Sequence, residues 1–178
     1  MIFKETNIQG CFLIEPEPFA DNRGVFRRHF DATEFEAHGI VSEVKQANIS
    51  ENFRPFTLRG FHYQLPPHGE GKTLSCMKGK IYDIVVDLRP DSKTFLKWVS
   101  FELSRENRLS IHIPPGCANA FMTLEADSVI HYYCSQNYNL QAESGVRYND
   151  PLFSFIWPYE PEVISDKDKS WPDFVIKR

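Results

Sequence analysis

No run of about 18 consecutive apolar residues occurs in the chain, which removes the membrane-spanning helix from consideration. A basic excess is missing too. Lys and Arg number 20 against 24 Asp and Glu, for a formal net charge of -4, so nothing offsets repulsion from a phosphate backbone. Neither a nucleic-acid nor a membrane partner is expected. The opening MIFKETNIQG alternates apolar and charged positions and lacks the apolar stretch and small-residue cleavage site of a secretory signal. Cys11, Cys76, Cys117 and Cys134 are widely spaced, form no C-x-x-C pair and sit in apolar contexts, so buried free thiols are the default. A reducing, cytoplasmic location is the expectation.

What the chain does have is an aromatic share of 14%, with 15 Phe, 7 Tyr and 3 Trp, in short apolar segments separated by turn residues. That pattern favours strands over helices. Strands are expected over Cys11–Pro16, Gly24–Phe30, Leu58–Leu65, Lys80–Leu88, Leu96–Leu103, Leu109–Ile113, Ser128–Ser135 and Phe153–Trp157. Such a series points to an all-β sandwich or jelly roll rather than to βαβ units. Only Ala32–His38, ending at Gly39, and a turn near Asp166–Ser170 read as helical. With 178 residues and no linker, the chain reads as one domain over 1–178. A tail from about Pro158 must fold back or fray.

Two segments, around Leu58–Gly79 and Leu109–Phe121, resemble the paired metal-binding motifs of cupins, but their donors are wrong. His62 is followed two residues later by Gln64, and the second segment reads Pro114-Pro115-Gly116-Cys117-Ala118-Asn119. Zinc and iron favour imidazole and carboxylate, so neither metal nor other cofactor is expected. An imidazole titrates near neutrality, so a histidine free of metal can serve as a general base. The plainer reading of His62 is a hydrogen-bonded histidine in a strand. Period-two alternation puts Gly60, His62 and Gln64 on one face, with Arg59 and Lys72 nearby in sequence.

Along nearly its whole length the chain resembles the dTDP-4-dehydrorhamnose 3,5-epimerase family. The matching segments include Asp21-Asn22-Arg23-Gly24-Val25-Phe26, Gln46-Ala47-Asn48, Leu58-Arg59-Gly60-Phe61-His62-Tyr63-Gln64, Gly71-Lys72, Ile113 to Phe121, Tyr132 to Tyr138 and Ser165-Asp166-Lys167-Asp168. The resemblance implies a double-stranded β-helix of the cupin type with short peripheral helices. It also implies an epimerase that inverts C3, C5 or both on a nucleotide-linked 4-keto-6-deoxy sugar. In that reading His62 is the base, Asp168 orients it, Lys72 faces the enolate and Tyr132 returns a proton from the opposite face. Arg23 and Arg59 match pyrophosphate contacts, and Phe26 packs on the base. Gln46, Asn48, Asn119, Tyr138 and Glu143 complete the substrate-binding set. In the family the residues matching Arg23 and Phe26 reach into the neighbouring subunit, which implies a homodimer with shared pockets.

Two positions depart from the family pattern. Asn119 stands where relatives usually carry His, and Arg28 where they commonly carry Glu. The nucleotide could therefore be dTDP, CDP or GDP, and epimerisation single or double. Two other readings stay open: a sugar-nucleotide binder altered in catalysis, and a metal-dependent cupin isomerase or dioxygenase built on His62, His68, His112 and His131. Each residue also has a plain role, with Tyr132 a core aromatic, Lys72 a solvated lysine and Asp168 an exposed tail residue.

Overall fold

A strand with one buried face needs apolar side chains at every second position, and the chain meets that need in two facing sheets. The computed structural model describes residues 1–176. The first sheet runs in the order Ile2–Glu5 (β1), Phe12–Glu15 (β2), Ser110–Ile113 (β10), Lys72–Lys78 (β7), Ser128–Cys134 (β12) and Gln46–Asn52 (β5). The second runs Glu143–Gly145 (β13), Thr57–Gln64 (β6), Cys117–Thr123 (β11), Lys80–Asp87 (β8) and Trp98–Ser104 (β9). Every pairing in both is antiparallel except that of Val163–Ile164 (β14), which lies parallel on β6. A separate hairpin joins Phe19–Asp21 (β3) to Gly24–Phe26 (β4). This is a jelly roll, as expected.

Alternation divides the side chains between layers. Ile81 and Val85 of β8 and Cys117 and Phe121 of β11 enter the core between the sheets, where they meet Leu74 and Cys76 of β7 and Ile130 of β12. Ile84, Val86, Ala118 and Ala120 point the other way and are covered by Phe153, Phe155, Trp157 and Phe174. The outer face of the first sheet is closed by Ala32–Ala37 (α1), whose Phe35 packs with Phe12, Ile14, Ile40 and Tyr133. Asp31 caps α1 by accepting from the Thr33 and Glu34 amides, a contribution of about 1 kcal/mol. The helix ends before Gly39, whose φ is +71°.

Three expectations need correction. Phe153–Trp157 is not a strand: its rings stack on one another and on Phe61, so apolar burial holds it without a ladder partner. Gly24–Phe30 pairs only as far as Phe26, because His29 turns to His131 and Phe30 packs on Phe35 and Tyr133. Strands at Ile2–Glu5, Phe19–Asp21, Gln46–Asn52, Lys72–Lys78, Cys117–Thr123, Glu143–Gly145 and Val163–Ile164 were not among those expected. The tail folds back: β14 pairs with β6, and Asp166–Lys169 (α2) follows on the Ser165 cap.

Candidate active site

At one end of the sandwich the interior faces stop being apolar and open into a cavity of about 450 Å³. The first sheet lines it with Gln46, Asn48 and Ser50 of β5, Lys72 and Leu74 of β7, and Tyr132 and Cys134 of β12. The second contributes Arg59, His62, Tyr63 and Gln64 of β6 and Asn119 and Phe121 of β11. Glu70, Tyr138 and Glu143 complete the wall.

The His62 imidazole is anchored through one of its two nitrogens. Its Nε2 donates to Asp168 Oδ1 at 2.7 Å, while Oδ2 of the same carboxylate accepts from the Gly60 amide at 3.1 Å. Among the described residues His62 Nδ1 has no protein partner, and the side chain is 34% exposed. Asp168 itself is buried. Burial works to raise its pKa, but the His62 bond and charge, the Gly60 amide and the Ser165 hydroxyl outweigh it and hold the carboxyl below its ordinary range. The plain reading of Asp168 as an exposed tail residue is thus overturned, because the returning tail drives it under β6.

The local geometry of β6 corrects another expectation. Gly60 does not share the cavity face with His62; Arg59 does. The register against β11 shifts between Asn119 and Phe121, and Gly60 has φ of +116° with room for no side chain. A Cβ there would lie 2.5 Å from the Asn119 carbonyl oxygen.

Lys72 extends into the cavity, donating to the His62 carbonyl oxygen at 3.2 Å and pairing with Glu70 at 3.2 Å. Tyr132 lines the same space; burial first, then Cys134 and Glu70, push its phenol up against the opposing pull of Arg59. Arg59 gives Nε to Asn52 Oδ1 at 2.7 Å and lines the cavity. Gln46 Oε1 accepts from the Tyr138 amide at 2.7 Å, and the Tyr138 hydroxyl donates to Glu143 at 2.9 Å. Lys167 also pairs with Glu143. Asn119 donates to Asp83 at 3.0 Å. Burial pushes the Asp83 carboxyl up to about 7, against the Asn119 bond and the Lys72 charge.

Arg23 and Phe26 lie outside the cavity, on the β3–β4 hairpin. Arg23 is ion-paired to Asp21 at 2.6 Å and Phe26 is 72% exposed. The histidines of the metal-dependent alternative are dispersed: His68 meets Asn139, His112 meets Thr73 and His131 meets His29. Among the described residues no three His, Cys, Asp or Glu side chains gather to hold a metal ion. Nor is any helix among them long and apolar enough to cross a membrane.

Ser50, Tyr63, Glu70, Leu74, Phe121 and Cys134 were missed as cavity residues. For Ser50, Leu74, Phe121 and Cys134 the signal was there, since each stands two residues from a recognised one (Asn48, Lys72, Asn119 and Tyr132) on the same strand face.

A jelly roll whose open end gathers an imidazole–carboxylate pair, an ammonium, a phenol and a guanidinium is an acid–base enzyme of the cupin type. The comparisons narrow the class. The family described as dTDP-4-dehydrorhamnose 3,5-epimerase matches residues 5–175. A dTDP-4-dehydrorhamnose 3,5-epimerase of Sinorhizobium fredii is 38% identical over 173 residues, covering 97% of this chain and 89% of that one. The crystal structure of a dTDP-4-dehydrorhamnose 3,5-epimerase from Bacillus anthracis, with TDP and PPi bound, superposes with a TM-score of 0.93 at 35% identity, covering 97% of this chain and 99% of that one. A 3'-monoepimerase from Streptomyces bikiniensis in complex with dTDP-quinovose gives a TM-score of 0.87 at 32% identity, covering 94% and 85%. The chain belongs to the dTDP-4-dehydrorhamnose 3,5-epimerase family. It is a sugar-nucleotide epimerase, an enzyme of the isomerase class.

Proposed function

We propose that the cavity binds a dTDP-linked 4-keto-6-deoxy sugar and inverts it at a carbon beside the ketone, at C3, C5 or both. The ketone acidifies those C–H bonds. His62 takes the proton through Nδ1; the C–H electron pair becomes the enolate double bond, and the charge moves to the C4 oxygen, where Lys72 meets it. A preorganised charge at that position is worth roughly 3 to 4 kcal/mol of barrier. Tyr132 then gives a proton to the same carbon from the other side, the ketone re-forms, and the imidazolium and phenolate return to their starting forms by exchange with solvent. Asp168 keeps the proton on Nε2 of His62 and supports the imidazolium. All proton movement is assigned to side chains, with no metal or cofactor required.

The observation that carries this reading is the His62–Asp168 bond of 2.7 Å in a cavity shared with Lys72 and Tyr132. Arg59 is assigned to the pyrophosphate, for which a guanidinium fork suits two oxygens at once. Gln46, Asn48, Asn119, Tyr138 and Glu143 are assigned to the remaining polar groups of the substrate. Arg23 and Phe26, on an exposed hairpin with Phe19 64% exposed, are assigned to the pocket of a second copy in a homodimer. The whole chain is taken as one domain, and a cytoplasmic setting suits its four unpaired cysteines.

The test is the reaction in deuterated water on a dTDP-4-dehydro-6-deoxyglucose type substrate, with label located by mass spectrometry. Label at C3, C5 or both is expected. No wash-in on this or any other 4-keto sugar nucleotide would replace the epimerase by the binder. Calorimetric titration with dTDP, CDP and GDP checks the nucleotide, and preference for CDP or GDP would displace dTDP.

A further inference from the structure

Glu70 is an acid in a pocket built for an anion. The substrate brings two phosphates, the reaction makes an enolate, and a carboxylate in the wall opposes both. It is nevertheless held firmly. Its side chain is 10% exposed, and Oε2 accepts from Gln64 Nε2 at 3.1 Å. Gln64 is pinned in turn: its Nε2 shares its two hydrogens among Glu70 and the carbonyl oxygens of His68 and Asn137, at 3.0 and 3.2 Å, and its Oε1 accepts from the Asn139 amide at 2.6 Å. A buried amide with its acceptor and donors engaged cannot turn away without orphaning several groups. Glu70 therefore rests on a fixed support.

Its other oxygen faces Lys72, Oε1 lying 3.2 Å from Nζ. A lysine ammonium sits on a flexible four-carbon stem that leaves it free to sample many positions. Here two acceptors stand near it, the Glu70 carboxylate and the His62 carbonyl oxygen at 3.2 Å. The second belongs to the residue read as the base, so the cation is indexed to it. Gly71 lies between Glu70 and Lys72, and a side chain there would press on His112 and Ser135 at 3.3 Å.

We infer that Glu70 is a positioning residue for the epimerisation: clamped by Gln64, its carboxylate fixes the Lys72 ammonium in place before substrate arrives. The inference rests on the reading of Lys72 as the cation that meets the enolate. The carboxylate weakens the ammonium's net field, and what it gives in return is orientation, because a preorganised charge need not reorganise as the enolate forms. It has a second effect: Glu70 is among the groups that push the Tyr132 phenol up.

The experiment compares Glu70→Gln, Glu70→Asp and Lys72→Met with the unmodified full chain in solvent-deuterium exchange on the 4-keto sugar nucleotide, across pH, with thermal melts as the check on folding. Glu70→Gln should lower kcat about tenfold, or ~1.4 kcal/mol, with KM changed by less than about threefold. Its alkaline limb should move to lower pH. Glu70→Asp, which keeps the charge on a shorter stem, should recover part of the rate and the original limb. If Glu70→Gln is too unstable to assay, Glu70→Asp carries the test: full kcat in it, where a partial loss is expected, would then overturn the inference. Full kcat and an unmoved limb in a folded Glu70→Gln, beside a Lys72→Met that has lost exchange, overturns the role of Glu70 alone. Full exchange in Lys72→Met instead overturns the reading of Lys72 on which it rests.

Discussion

The carboxylate of Asp168 meets the imidazole of His62 at 2.7 Å although 106 positions separate them in sequence. Three local devices bring it there. β14 pairs in parallel with the start of β6, Ser165 caps the short α2, and the Gly60 amide takes the second carboxylate oxygen. An Asp168→Asn variant keeps the shape but loses the charge, and its amide can bond either imidazole tautomer. Deuterium wash-in should fall by about 10² to 10⁴-fold, the range attached to a general base, while the affinity for dTDP measured by calorimetry stays within a few fold. Unchanged wash-in would remove Asp168 from the mechanism.

Gly60 is expected to tolerate no other residue. Its φ of +116° is strained for any L side chain, and a Cβ would meet backbone atoms of Asn119 and Ala120 at 2.5 and 2.7 Å. Neither atom belongs to a flexible side chain that could yield. Gly60→Ala should cost about 2 to 4 kcal/mol in urea unfolding, with loss of wash-in because His62 follows two residues on. A midpoint matching the unmodified chain would show that β6 can flatten here.

Stability should fall as pH rises from about 4 to about 7 on account of Asp83. Burial pushes its carboxyl from the ordinary 3.8 up to about 7, so in that window the folded chain holds a proton that the unfolded chain has released. The group's contribution is full below the lower value and gone above the upper one. Asp83→Asn, neutral throughout and still able to accept from Asn119, should melt higher than the unmodified chain at pH 8 with the gap closing toward pH 4. An equal gap at both pH values would mean Asp83 is not the group responsible.

If Arg23 and Phe26 serve the neighbouring subunit's pocket, two inactive variants should complement one another. His62→Ala spoils a subunit's own pocket, whereas Arg23→Ala spoils its partner's. A mixed dimer then holds one doubly damaged pocket and one intact pocket. Equal mixing after dissociation should restore about a quarter of full activity, given random pairing in a two-fold dimer. Activity no greater than the sum of the separate variants would place Arg23 with its own subunit.

Much of the site was legible through the segments that match the family. Gln46 and Asn48 on β5, Lys72 on β7 and Tyr132 on β12 were all named from segments matching the family, and each lines the cavity. The family resemblance supplied Asp168, which alternation could not have reached from the tail. β6 escaped for a physical reason: the shift in pairing at Gly60 breaks the two-residue period, so Arg59 rather than Gly60 joins His62 in the cavity. Phe153–Trp157 was misread because aromatic density marks burial, and burial alone does not say whether the backbone finds a ladder partner.

The amino-acid sequence by itself determined the all-β character, the short α1 ending at Gly39, the family, and the residue types available for proton transfer, since these depend on local periodicity and side-chain chemistry. Tertiary structure decided which of them meet. The burial of Asp168 against His62, the bond from Asn119 to Asp83 and the orphaned second oxygen of that carboxyl all depend on contacts between elements distant along the chain. No local pattern encodes those distances, because they are set by register and by how the two sheets close on each other.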